Sequence, residues 1–109
     1  MSFNIIATVP FERKLKRLAK KHKTLKADLL KLLEQLEESP MLGTPLGKDC
    51  YKIRVGITSK GKGKSGGARI ITYVRIVNQI VFLIDIYDKS EQVDISNKEI
   101  KQLIDLLSQ

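Results

Sequence analysis

Residues 50–89 read CYKIRVGITSKGKGKSGGARIITYVRIVNQIVFLIDIYDK, and the spacing of their apolar side chains decides the fold. Tyr51, Ile53, Val55 and Ile57 alternate with Cys50, Lys52, Arg54 and Gly56. After a Gly/Lys segment, Ala68, Ile70, Val74 and Ile76 alternate with Arg69, Ile71, Tyr73 and Arg75. Ile80, Phe82, Ile84 and Ile86 then alternate with Val81, Leu83, Asp85, Tyr87 and Lys89. A period of two in three successive runs predicts an antiparallel meander with one apolar face. Parity also restricts the register. The apolar row is odd in the first run and even in the second, so opposed residue numbers have an odd sum. A tip at 60–65 then opposes Gly56 to Arg69, Arg54 to Ile71 and Lys52 to Tyr73. A turn at 77–79 pairs Ile76 with Ile80 and opposes Arg69 to Tyr87, Ile71 to Asp85 and Tyr73 to Leu83.

Ahead of the meander, residues 3–8 read as a strand, and Pro10 suits the first turn of a helix, where its missing N–H is no loss. Phe11, Leu15, Leu18, Ala19 and His22 give that helix one apolar stripe. Thr24 is placed to cap a second helix carrying Leu25, Leu29, Leu32, Leu33 and Leu36, which Ser39 and Pro40 end. Residues 40–48 read as a connecting loop. At the far end, Ser96 and Glu99 form a capping box before Ile100, Leu103, Ile104 and Leu107. The expected order is β-α-α-β-β-β-α: an α+β fold with an antiparallel sheet, a helical hairpin on one face and a C-terminal helix.

The 109 residues suit a single domain, 1–109, with a radius of gyration of about 13 Å. One cysteine, Cys50, supports neither a disulfide framework nor a zinc site, which points to a reducing, cytoplasmic setting. No run reads as a signal peptide or a membrane span. The net charge of +8 is uneven: residues 10–31 and 47–75 each carry +7, and 32–46 and 76–109 each carry −3. Two basic zones on a small domain suit a polyanion, most simply nucleic acid, or an acidic protein.

The face turned from the helical hairpin is expected to hold Lys52, Arg54, Arg69, Tyr73, Asp85, Tyr87 and Lys89. Such a set suits RNA cleavage by attack of the ribose 2′-hydroxyl on its own phosphate. Guanidinium groups neutralise the phosphate oxygens, and a lysine among like charges is placed to accept or relay the proton. Tyr73 or Tyr87 is suited to stack on a base or to donate to the leaving oxygen. The bland alternative is a charged outer face on which Arg54 and Asp85 neutralise one another across a strand. No metal site and no cofactor are expected, since Asp85 is the face's only carboxylate before Glu91. His22 continues an apolar stripe, which favours packing over catalysis. Cys50 reads as a small half-buried residue. The string KGKGKSGG (60–67) imitates a phosphate loop, but Thr58 stands where the first glycine belongs and a strand follows. It reads instead as a cationic hairpin tip in which Lys60, Lys62 and Lys64 follow a nucleic-acid backbone, with a solvated turn as the plain alternative. Arg13, Lys16, Arg17 and Lys20 belong to a dense run of helical cations suited to RNA or an acidic partner.

The strings DCYKIR (49–54), GGARIITY (66–73) and YDKSE (87–91), in this element order, resemble the RelE/ParE superfamily of bacterial toxins, in particular its RelE and HigB type. The resemblance spans nearly the whole chain. It implies a microbial-ribonuclease-like fold and a type II toxin that cuts messenger RNA in the ribosomal A site and stops translation. It also implies an antitoxin partner encoded in the adjacent gene, with an acidic segment, and no small-molecule ligand or membrane. Carried over, the family's basic pair falls on Lys52 and Arg54, its phosphate-binding arginine on Arg69 and its second arginine on Lys89. A later family tyrosine has no match, because Asp94 and Ile95 occupy that stretch, and Tyr87 is the substitute at hand. The Gly/Lys tip is longer than the tight hairpin of RelE. Two alternatives stay open: a ParE-type gyrase inhibitor, and a non-enzymatic relative that binds RNA or its antitoxin.

Overall fold

A computed structural model describes residues 2–61, 63 and 66–107. Its elements run β1 (Asn4–Ala7), α1 (Val9–Lys21), α2 (Leu25–Glu38), β2 (Thr44–Gly47), β3 (Cys50–Val55), β4 (Ala68–Arg75), β5 (Ile80–Asp88) and α3 (Asn97–Leu107), with a 3-10 turn at Thr58–Lys60. The radius of gyration is 13.1 Å. Pro10 lies in the first turn of α1, as its fixed φ allows. Thr24 stands at the start of α2, yet its hydroxyl does not cap that helix: it donates to Asp28 Oδ2 at 3.0 Å and accepts the Ser59 N–H at 2.9 Å. Ser96 Oγ accepts the Glu99 N–H at 3.1 Å, so the expected cap of α3 forms.

The five strands are ordered β1-β5-β4-β3-β2. Two features depart from the sequence reading. The segment expected to be loop, 40–48, contributes edge strand β2, which pairs Thr44 with Lys52. Gly43 permits this approach, because at φ +103° a Cβ there would lie 2.5 Å from the Lys52 carbonyl oxygen. The sheet is also mixed, since β1 runs parallel to β5, with Asn4 opposite Ile80 and Ala7 opposite Leu83. The helical hairpin carries the chain from β1 at one edge to β2 at the other, and the meander then returns to β1 through β5.

Registers differ as well. β3 and β4 pair with Arg54 opposite Arg69, Lys52 opposite Ile71 and Cys50 opposite Tyr73, two residues from the expected alignment. A two-residue slip keeps every side chain on its face, so the apolar rows could not distinguish the two. What selects the observed one is the connection, 56–67, where the 3-10 turn takes up chain and Gly67 lies so close to β3 that a Cβ would stand 2.0 Å from the Val55 oxygen. Between β4 and β5, Arg69 faces Tyr87 and Ile71 faces Asp85 as expected. A bulge then leaves Ile84 unpaired, so that Tyr73 meets Phe82 instead of Leu83 and Arg75, not Ile76, faces Ile80.

The bulge changes which side chains share a core. Leu83 and Ile86 pack with Phe11, Leu18, Leu25, Leu36, Ile53 and Ile70 beneath the helical hairpin. Ile84 and Tyr87 join Cys50, Ile71, Ile95 and Ile100 under α3, with Tyr73 and Phe82 at the margin. The terminal helix therefore covers Ile71, whereas Leu83, which parity puts on the same face, lies on the opposite one. No helix among the described residues is long and apolar enough to cross a membrane.

Candidate active site

The register lines up Arg54, Arg69 and Tyr87 as one row across β3, β4 and β5. Arg54 is exposed, whereas Arg69 and Tyr87 are buried at 5% and 3% exposure, so the row runs from solvent into the molecule. Arg69 Nη1 donates to the Ala68 oxygen at 3.2 Å. The segment after β5 closes on this row. Asp94 Oδ1 accepts from Lys52 Nζ and from the Tyr87 hydroxyl, each at 3.4 Å, and Lys89 Nζ donates to the Val93 oxygen at 3.1 Å. Thus Lys52, Tyr87 and Lys89 all reach adjoining residues of one loop, and Arg54 and Arg69 stand in the row beside them.

The electrostatics divide these groups by role. Burial pushes the Tyr87 hydroxyl up to about 12, with the Asp94 carboxylate adding to the shift, so the phenol keeps its proton well above neutral pH. The Ile95 N–H, against partial burial, and then the Lys52 ammonium hold Asp94 below the usual carboxylate range. Burial raises the Cys50 thiol to about 11, which suits a packing role.

Other candidates fall elsewhere. Tyr73 stacks on Phe82, with ring centroids 6.1 Å apart, away from the arginine row. Asp85 does not neutralise Arg54: it is fully buried and accepts from Lys14 Nζ of α1 at 2.6 Å. Lys60 turns inward from the expected tip, bonding Asp88 Oδ1 at 3.0 Å with 17% of its side chain exposed. Lys62 and Lys64 lie outside the described residues. Lys16 and Lys20 line a depression with Lys23 and Lys26 at the α1–α2 junction, remote in the chain from the β-strand cluster. Arg13 lines an apolar groove between the start of α1 and α3, and Arg17 is exposed on α1. His22 is more than packing, since its Nε2 lies 2.8 Å from Asp88 Oδ2. Asp94 was not anticipated as part of the cluster. Nothing in its local sequence marks it, because the loop that carries it back over β3 is set by tertiary packing of Ile95 under α3.

A family model described as RelE toxin of the RelE/RelB toxin-antitoxin system matches residues 9–108. The chain belongs to the RelE toxin family. This RelE-family chain is similar to an arginine-to-alanine double mutant of Escherichia coli toxin RelE in the free state, at 26% identity and a TM-score of 0.60, over 85% of this chain and 90% of that one. The same mutant in complex with an antitoxin RelBc peptide matches at 25% identity and 0.58, over 94% and 93%. The isolated E. coli RelE toxin shares the fold at 23% identity and 0.58, over 96% and 99%. The α+β architecture of the RelE-family toxin is thus that of RelE, with the arginine row on the face opposite the helical hairpin.

Proposed function

We propose that this RelE-family toxin is a ribosome-dependent endonuclease that cuts messenger RNA without a metal ion, and that Lys52, Arg54, Arg69, Tyr87 and Lys89 carry the reaction. The observation that supports this reading most is the alignment of Arg54, Arg69 and Tyr87 in one row. Arg54 and Arg69 stand at opposed positions on neighbouring strands, whose backbones lie about 4.8 Å apart, so one phosphodiester can engage both guanidinium groups. They stabilise the charge that grows on phosphorus when the 2′-hydroxyl attacks and a 2′,3′-cyclic phosphate forms. Tyr87, held in its protonated form, gives its proton to the departing 5′-oxygen. Lys52 and Lys89, bound to the loop at Asp94 and Val93, add positive charge at the row's flank, and the proton leaving the 2′-hydroxyl passes to solvent water.

The basic surface of α1, with Arg13, Lys16, Arg17 and Lys20, draws the toxin to RNA. The same positive face suits an acidic segment of an antitoxin from the adjacent gene, as the RelBc complex of the E. coli relative suggests. The deciding experiment maps 5′ ends of a message on programmed ribosomes after addition of the purified chain, beside Arg69→Ala. Cuts within the A-site codon that vanish in the variant support the reading. An intact message with translation unaffected overturns it and favours gyrase inhibition or binding without cleavage.

A further inference from the structure

The carboxylate of Asp88, at the end of β5, gathers four donors. His22 Nε2 lies 2.8 Å from Oδ2, and Oδ1 accepts from Lys60 Nζ at 3.0 Å, the Ser90 N–H at 2.9 Å and the Ser90 hydroxyl at 2.8 Å. Its backbone oxygen accepts the Glu91 and Gln92 N–H groups, each at 3.0 Å. Only 4% of the side chain is exposed. An ionised carboxylate only accepts, so the His22 Nε2 carries the proton of that bond. One buried anion thereby joins the end of α1, the 3-10 turn of the β3–β4 connection and the turn after β5. The Lys21–Glu91 pair at 2.7 Å ties α1 to that last turn a second time.

Burying a charge costs desolvation, and a satisfied polar hub returns geometry more than stability. The geometry at stake is that of the arginine row. Side chains alternate along β5, so Asp88 points to the helical face while Tyr87 on one side packs under α3. On the other side Lys89 reaches Val93, and its own N–H is held by the Gly67 oxygen at 3.0 Å. Across the sheet Asp88 faces Ala68, the neighbour of Arg69.

We infer that Asp88 is a positioning residue of the nuclease: braced by His22 and Lys60 from behind the sheet, it sets Tyr87 and Lys89 in line with Arg54 and Arg69. This inference rests on the nuclease reading above. Asp88 itself touches no RNA, and His22 acts as a brace and not as a base.

The test is cleavage on programmed ribosomes by the wild type, Asp88→Asn, His22→Leu and Lys60→Met, each with and without Lys89→Ala, with activity expressed per folded molecule from circular dichroism. Asp88→Asn is expected to lower kcat about tenfold with KM within about twofold. His22→Leu and Lys60→Met lower kcat by smaller factors. In the Lys89→Ala background the Asp88→Asn effect shrinks to about threefold, because one of the two groups it positions is gone and only Tyr87 is left to misplace. Asp88→Glu, which keeps the charge, restores part of kcat. A lower melting temperature with kcat unchanged, or full additivity with Lys89→Ala, overturns the inference while leaving the nuclease standing. A Lys60→Met effect confined to KM assigns Lys60 to RNA contact and likewise overturns its role as a brace. Should Asp88→Asn fail to fold, the His22→Leu and Lys60→Met cycles decide alone. A wild-type chain that leaves the message intact overturns both readings.

Discussion

Arg54 and Arg69 stand directly opposite one another on β3 and β4. Like charges at opposed positions destabilise a sheet by up to about 1 kcal/mol, and an anion between them removes that cost. Arg54→Gln is therefore expected to raise the melting temperature by about 2–6 °C while lowering kcat/KM by about 100-fold. Calorimetry of the two proteins with and without a short RNA checks it. RNA should stabilise the wild type more than the variant, and equal shifts would sink the idea.

Tyr87 supplies the pH signature. Burial and then Asp94 raise its hydroxyl to about 12, so the folded state favours the neutral phenol. Stability from this group is complete below the ordinary tyrosine value near 10 and is lost as pH rises from there toward about 12. Asp94→Asn removes the neighbouring carboxylate, and an ultraviolet titration should then place the slow, buried tyrosine step lower than in the wild type. Tyr87→Phe should abolish that step and slow cleavage by about 100-fold or more, as expected for loss of a general acid.

Much of this arrangement was legible in the sequence, and what was not has a common cause. Periodicity located all three helices and the meander, because each buries one face, and parity put Lys52, Arg54, Arg69 and Tyr87 on the same side of the sheet. Parity cannot see a shift of two, so the pairing of Arg54 with Arg69 waited on the contact between Gly67 and Val55. Nor does it register a bulge, which is how Ile84 and Leu83 exchanged faces. Strand β2, with Pro45 and Gly47 inside it and Gly43 just before it, carries no strand signal of its own and is recruited by the free edge of β3. Long-range polar bonds such as Lys14 to Asp85 and His22 to Asp88 leave no local trace at separations of 71 and 66 residues.

Acid should loosen the molecule at its polar hub. Burial pulls Asp88 upward, but the Ser90 N–H and hydroxyl, then Lys60 and His22, outweigh it and hold the carboxyl well below its ordinary range. A depressed carboxyl contributes stability that is present above its unfolded value near 4 and is lost as pH falls below it. In Asp88→Asn, urea unfolding at pH 7 is expected to show a loss of about 1.5–3 kcal/mol, the scale of hydrogen bonds to a charged group. The wild type and the variant should converge as pH drops below about 4. A constant gap across that range would show that the charge of Asp88 is not what stabilises the hub.

Gly67 tests the register itself. It lies against β3, and a methyl group there would meet the Val55 oxygen at 2.0 Å and the Gly56 Cα at 3.1 Å, both backbone atoms with little freedom to move. The end of the β3–β4 pairing must then open, at a cost of about 2–4 kcal/mol, in the range of overpacked or strained sites. Because Ala68 and Arg69 follow at once, opening displaces Arg69 from Arg54 and also strains the bond from the Lys89 N–H to the Gly67 oxygen. Gly67→Ala should therefore lose cleavage even where enough folded protein survives to be assayed. Gly61→Ala is the control. Gly61, unlike Gly67, sits at positive φ, where it ends the 3-10 turn, but a Cβ there meets nothing within 4 Å, and its backbone lies outside the β3–β4 ladder. Its cost is expected to be about 1 kcal/mol of backbone strain, with cleavage per folded molecule retained. Equal loss of cleavage in the two variants would mean that the connection as a whole, and not the alignment of Arg54 with Arg69, carries the activity.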